Sequence, residues 1–165
     1  MHCTASSQKL TLQQLRNEFK ARGWKNPGYH YVVFPDGEIK CLLNEEEISN
    51  GVQGYNSTSI NVAYVGGIDS KGKACDNRTD LQKAALVNLL VDLKRKYPNA
   101  HIMGHRDIWG KNPAHWKKYC PCFDAEEEYE NIGKPIEPLY EPIDLNKPES
   151  LLTKIKKLLP WGKKQ

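Results

Sequence analysis

The sequence has no apolar run near the roughly 18 residues that a membrane span requires. Its first residues, Met1-His2-Cys3-Thr4-Ala5-Ser6-Ser7, carry neither the basic nor the apolar stretch of a secretory leader. A membrane span is thereby excluded, and export by a visible leader is not expected. Cysteine is sparse and odd in number: Cys3, Cys41, Cys75, Cys120 and Cys122 are five in 165 residues, which argues against a disulfide framework and leaves at least one thiol for other work. Charge of one sign is also lacking. Twenty-four Lys and Arg against 20 Asp and Glu leave +4, the bases are interleaved with acids, and no nucleic-acid motif or zinc-knuckle spacing is present, so no nucleic-acid partner is expected.

What is there suits one α/β domain with a tail, since the chain only slightly exceeds the usual domain length of about 150 residues. Leu12, Leu15 and Phe19 fall three and four apart between Thr11, a candidate N-cap, and Gly23, which predicts an amphipathic helix. Tyr29 to Phe34 and Glu38 to Leu43 flank Pro35-Asp36-Gly37 and read as a hairpin. Ile60 to Val65 reads as a strand closed by Gly66-Gly67. Thr79 and Gln82 form a capping-box pattern opening a long helix to Tyr97-Pro98, with Leu81, Ala85, Leu86, Leu89, Leu90 and Leu93 on one face. Ala100 to Met103 reads as a short buried strand feeding Gly104-His105-Arg106-Asp107. Helices and strands alternate around an antiparallel hairpin, so the expected core is a mixed central sheet flanked by helices.

Composition changes near residue 125. Residues 125–149 hold eight acids against two lysines and include Pro135, Pro138, Pro142 and Pro148; residues 150–165 hold five lysines and no acid. The expected organisation is a domain over 1–131, a linker over 132–149 and a basic amphipathic helix over 150–165. That helix could contact an anionic envelope surface, or pack on the domain or remain disordered.

Three soft or borderline donors stand where a fold could gather them: His2, His105 past the short strand, and Cys120 before Pro121. Imidazole nitrogen and thiolate sulfur suit zinc, and three protein donors leave a fourth tetrahedral position open. Spacing alone does not select this triple, because five histidines offer others. His30 follows Tyr29 and is expected to point to the opposite strand face in a structural or supporting role. His101 and His115 read as strand-end and loop residues, and Cys3, Cys41 and Cys75 as packing thiols. Cys122 makes Cys-Pro-Cys with Cys120, too tight for an unstrained disulfide, and reads as a supporting thiol or a redox liability.

The ordered set His2-Cys3-Thr4-Ala5, Gly28-Tyr29-His30, Gly54-Tyr55-Asn56, Gly66-Gly67, Gly104-His105-Arg106-Asp107 and Lys118-Tyr119-Cys120-Pro121-Cys122-Phe123-Asp124 resembles the zinc-dependent N-acetylmuramoyl-L-alanine amidases of the phage-lysozyme type. That family includes the peptidoglycan recognition proteins, and the resemblance spans residues 1–131. It implies a Zn2+ ion held by His2, His105 and Cys120 in a groove, with Lys118 matching the catalytic lysine and Tyr29 the active-site tyrosine. It also implies hydrolysis of the amide between N-acetylmuramic acid and L-alanine in bacterial peptidoglycan. Zinc lowers the pKa of bound water to about 7 and polarises the scissile carbonyl. A fixed lysine cation stabilises the oxygen charge that develops, and a phenol can relay a proton; whether Lys118 or Tyr29 protonates the leaving amine stays open.

An endolysin-like enzyme is expected, acting as a monomer and held in the host cytoplasm before release to the wall. The alternatives are a non-catalytic peptidoglycan-binding module, disfavoured by the presence of Cys120, and a cytoplasmic muropeptide-recycling amidase. Two departures from the family pattern stand out. Only Met1 precedes His2, so the strand ending in that histidine is expected to be missing and His2 to lie on a frayed terminus, unless the chain continues upstream. In Ser49-Asn50-Gly51-Val52-Gln53 no histidine stands where many relatives place one, and Gly54-Tyr55-Asn56 is either groove lining or a glycine turn.

Overall fold

The computed structural model describes residues 1–134, so the expected linker beyond that point and the basic helix over 150–165 lie outside the described residues. The fold is a mixed four-stranded sheet with helices on both faces. Its elements are β1 (His2–Cys3), α1 (Leu12–Ala21), β2 (Tyr31–Val33), β3 (Ile39–Cys41), β4 (Val62–Tyr64), α2 (Asp80–Lys96) and α3 (Ala125–Glu128). The strand order is β1-β4-β2-β3. β4 runs parallel to both β1 and β2, and only the β2–β3 hairpin is antiparallel.

Strand alternation sorts the core into two layers. Val33, Val62 and Tyr64 face α2 and α3, packing with Leu86, Leu89, Leu90, Leu93, Phe123 and Tyr129. Val32 and Val65 face α1, packing with Leu15 and Phe19. Both long helices start on capping boxes: Thr79 with Gln82, as anticipated from sequence, and Thr11, anticipated as an N-cap, with Gln14. The hairpin closes at Pro35-Asp36-Gly37, where Gly37 has φ +85°, the backbone region that glycine adopts without strain.

Three expectations are corrected. Leu81 is 60% exposed, and the buried face of α2 begins instead with Gln82. The reason is polar: the Gln82 amide donates to Val33 O (3.0 Å) and Val65 O (2.9 Å) at the ends of two strands, while its Oε1 accepts from Thr79 N–H (3.0 Å). Residues 100–103 form no strand; their ties to the sheet edge are Met1 N to Met103 O (2.6 Å) and His105 N to Met1 O (3.0 Å), with Ala100 and His101 exposed. His2 is not frayed. It pairs with Ala63 in the β1–β4 ladder and is 2% exposed, because β4 grips one side of residues 1–3 and the 103–105 segment grips Met1 from the other.

Arg78 closes the α2–α3 side. Its buried guanidinium pairs with Asp76 (2.8 Å) and Glu128 (2.8 Å), donates to Tyr129 Oη (2.9 Å) and lies 3.3 Å from the Phe123 ring centroid. Charge-assisted bonds of this kind are about twice as strong as neutral ones, and here they tie the segment before α2 to α3. Ile132 packs against the same core. Among the described residues no helix is long and apolar enough to cross a membrane.

Gln82→Leu keeps the volume but strands Val65 O and the cap N–H of Thr79, while Val33 O keeps its bond from Val65 N–H. At about 1–3 kcal/mol for each of these two orphans the expected loss is about 2–6 kcal/mol, read as a lower urea midpoint at unchanged m-value. An unchanged midpoint would show that Gln82 does not bridge the strands.

Candidate metal centre

The three predicted donors converge although they lie at opposite ends of the domain sequence. One ligand atom from each of His2, His105 and Cys120 falls within 4.8 Å of the other two. His2 Nδ1 is 3.2 Å from His105 Nδ1 and 3.8 Å from Cys120 Sγ. A tetrahedral zinc with N and S bonds of the usual lengths needs N···N edges of about 3.3 Å and N···S edges of about 3.6 Å. The donor set therefore fits such an ion in both chemistry and spacing.

Backbone contacts hold each donor. His2 is fixed by the sheet edge. His105 opens the 3-10 helix His105–Trp109, its N–H bonded to Met1 O, its ring stacked on Trp109 at 5.5 Å. Asp107 Oδ2 accepts from Gly104 N–H (2.6 Å) and caps that turn. Cys120 is tied by Arg106 N–H to its carbonyl (2.8 Å), and Tyr64 Oη donates to the next carbonyl, Pro121 O (2.8 Å). The two loops touch because residue 104 has no side chain: a Cβ there would meet Pro121 Cδ at 2.6 Å. Arg106 faces Asp107 at 3.6 Å and lies over Trp116 at 4.2 Å.

The protonation states suit a metal, which needs neutral imidazoles and a thiolate. Burial, reinforced by the terminal ammonium, His105 and Lys118, holds His2 well below the ordinary histidine range. Burial and the charge of Lys118 bring His105 down to about 4. Cys120 also moves down, through hydrogen bonding from the Cys3 thiol and then from the Cys3 N–H (3.2 Å), against the opposing effect of burial. Its neighbours move the other way. Cys3 is pushed up to about 12 by its bond to Cys120, and Cys122, 3.8 Å from Cys3, is pushed up by its bond to Cys3. Of these three thiols only Cys120 is driven toward the anion.

Tyr29 lies just before β2 with its ring 5.3 Å from His2, and its hydroxyl donates to Cys3 O across a long 3.4 Å. It also packs edge-on against Phe19 at 5.7 Å. Burial raises its pKa, so it stays a phenol. Lys118 is exposed, and its charge reaches both imidazoles. A cleft of about 620 Å3 opens beside the cluster, lined by His2 and His105 and, from the loop after β3, by Val52, Tyr55 and Asn56. Tyr55-Asn56 thus lines the cleft, while Gly54 makes the turn at φ +87°.

The remaining candidates stay outside the cluster. His30 is fully buried and structural: Nε2–H donates to Glu47 O (2.9 Å) and Nδ1 accepts from Asn61 N–H (2.8 Å). His101 and His115 are exposed, and Cys41, expected to be a packing thiol, is exposed because β3 is the hairpin's outer strand. Sequence reasoning missed Asn61 and Ser49. Asn61 Oδ1 accepts from His2 Nε2 (2.8 Å), and Asn61 Nδ2 donates to Ser49 Oγ (2.7 Å). The only prior signal was a polar residue inside an apolar strand pattern.

A helix-covered mixed sheet that presents a metal-competent donor set at the mouth of a cleft has the form of a catalytic or ligand-binding site. Residues 1–123 match the family described as N-acetylmuramoyl-L-alanine amidase, and the chain belongs to that family. It is 36% identical over 132 residues to the endolysin of Klebsiella phage KP32, covering 79% of this chain and 83% of that one. The endolysin of Escherichia phage T7 gives the same identity and the same shares. Among solved structures, the Ph2119 endolysin from the Thermus scotoductus MAT2119 bacteriophage Ph2119 is similar with a TM-score of 0.61 and 28% identity, over 81% of this chain and 82% of that one.

The depressed His105 value sets a pH dependence. Native His105 refuses a proton until about 4, whereas the unfolded histidine accepts one below its ordinary 6.5. Stability of the metal-free protein is therefore fully present above 6.5 and falls as pH drops through about 4. Urea midpoints of chelator-treated protein at about pH 7 and about pH 5 check this, and His105→Gln should flatten the slope. Equal slopes in both proteins would contradict it.

Proposed function

We propose that this chain is a zinc-dependent N-acetylmuramoyl-L-alanine amidase of the endolysin type. It would hydrolyse the amide between the lactyl group of N-acetylmuramic acid and the L-alanine of the stem peptide in bacterial peptidoglycan, with His2, His105 and Cys120 holding the metal. The observation that carries the reading is the meeting of three donor atoms beside a cleft of about 620 Å3 in a member of this family. Its endolysin relatives support a protein held in the cytoplasm until release to the wall.

Zinc, when bound, supplies a Lewis acid for the scissile carbonyl and activates water at neutral pH. The chain's residues do the rest. His2 and His105 stay neutral and offer nitrogen lone pairs, while the Cys3 hydrogen bonds lower the pKa of Cys120 and favour its thiolate. The charge of Lys118, felt at both imidazoles, would stabilise the carbonyl oxygen as it becomes negative, charge that appears only on the way to the transition state. Tyr29, kept protonated by burial, exchanges its long bond to Cys3 O for one to the reacting amide. It thereby orients that amide, and either it or Lys118 delivers the proton to the departing L-alanine amine.

Release of free amino groups from purified sacculi tests the reading. Chelation should abolish it and zinc restore it, and Cys120→Ser and His105→Ala should lose metal and activity together. Lys118→Ala should keep its metal and lose turnover by roughly 10²–10³-fold. Sacculus binding without amine release would replace the enzyme with a binding module, and full activity in Lys118→Ala would remove that lysine from the mechanism.

A further inference from the structure

We propose that Asn61, set by Ser49 and admitted by Gly51, is a positioning residue that fixes the His2 imidazole with its Nδ1 lone pair turned toward His105 and Cys120. Its consequence for metal binding rests on the zinc reading above; the imidazole state itself does not.

Asn61 precedes β4 and is 3% exposed. Its backbone is locked to His30 in both directions: Asn61 N–H donates to His30 Nδ1 (2.8 Å), and His30 N–H donates to Asn61 O (2.8 Å). The carboxamide has one accepting and one donating end. The donating end is committed to Ser49 Oγ at 2.7 Å, and Ser49 is fully buried. The accepting end faces His2 Nε2 at 2.8 Å. Nε2 therefore carries the proton, and Nδ1, the atom that meets the other two donors, is left with its lone pair.

Packing alone does not explain this choice. A buried carboxamide is costly unless both ends are bonded, and an apolar side chain would fill the space without that requirement. The loop is also shaped to the amide. A Cβ on residue 51 would lie 2.4 Å from Asn61 Cγ and 2.5 Å from its Oδ1, so any side chain there would drive the carboxamide off the imidazole. Gly51 shares its loop with Ser49, and its bare backbone makes room for the amide at 61. Partners of this kind, bonded to the far nitrogen of a ligating histidine, fix its tautomer and orientation and govern metal affinity by about 10–100-fold.

The test uses the whole chain with three variants and three readouts. In metal-free protein, the nitrogen chemical shifts of the His2 ring should report the Nε2-protonated tautomer, and Asn61→Leu should shift the ring toward the Nδ1-protonated form. In metal-loaded protein, Asn61→Leu should weaken Zn2+ by about 10–100-fold in competition with a chelator and perturb the Co2+ visible spectrum. Ser49→Ala should do the same to a smaller degree. Asn61→Asp, which keeps the acceptor, should restore affinity to within about tenfold of the parent. Parent-like affinity and spectrum in Asn61→Leu would overturn the proposal, as would an Nδ1-protonated His2 in the parent. If Asn61→Leu does not fold, Ser49→Ala decides in the same way: unchanged tautomer and affinity overturn the proposal. A parent protein that takes up no metal would sink the zinc reading, while the tautomer measurement would still decide the role of Asn61.

Discussion

Three electron-pair donors have no reason to approach one another on their own. Two neutral imidazoles and a cysteine sulfur bring their donor atoms together, and their approach to within 4.8 Å has to be imposed by the backbone around them. Everything else near the site serves that constraint. The β1–β4 ladder holds His2, Met1 O holds the N–H of His105, and the Cys120 carbonyl is held by Arg106 N–H. These are backbone bonds, which tolerate no drift of register. Gly104 is what lets the last two loops meet, since even a methyl group would strike Pro121.

The constraint reaches outward into the core. Tyr64 of β4 is fully buried and reaches from the sheet to Pro121 O, so the strand that pairs with β1 also holds the Cys120 loop. Arg78 then joins Asp76, Glu128 and Tyr129 behind that loop. Exposed ion pairs contribute little, but a guanidinium with a side chain 1% exposed, matched by two carboxylates, cannot lose a partner without leaving charge uncompensated. Gln82 plays a comparable part at the opposite strand ends. The site's rigidity thus rests on polar groups placed inside an otherwise apolar sandwich.

Those same polar groups mark the limit of what the sequence discloses. Periodicity with an N-cap at Thr11 locates α1, periodicity with the Thr79–Gln82 capping box locates α2, and the Pro35-Asp36-Gly37 turn locates the hairpin, because each is a local pattern with a local cause. Motif order brings His2, His105 and Cys120 into view together. Leu81 misleads because an α2 face drawn from apolar residues has no place for a buried glutamine, and Gln82 is buried for the sake of carbonyls on two distant strands. Residues 100–103 mislead because four apolar-leaning residues look alike whether or not a neighbouring strand exists to pair with them. His2 looks frayed when only the residues preceding it are counted, although its fixation comes from residues 63 and 103–105. Asn61 and Ser49 are invisible for the same reason: their partners are more than ten residues away, and nothing local requires them.

The protonation pattern shows which physical effect wins at the site. Burial acts on all three donors. It favours the neutral form, so it lowers the histidines and would raise Cys120. For the histidines burial and use agree, and nothing further is needed to keep the lone pairs free. For Cys120 they conflict, and the direction is reversed by hydrogen bonds from Cys3, the residue beside His2 in β1, with the terminal ammonium adding to them. Cys3 is thus more than a packing thiol. By donating to Cys120 it moves a buried cysteine toward the thiolate, and its own proton is held more tightly as a result. The two-residue edge strand therefore delivers a donor in His2 and lowers the pKa of the donor opposite. This is why register at residues 2 and 3 matters more to the site than the length of the strand that carries them.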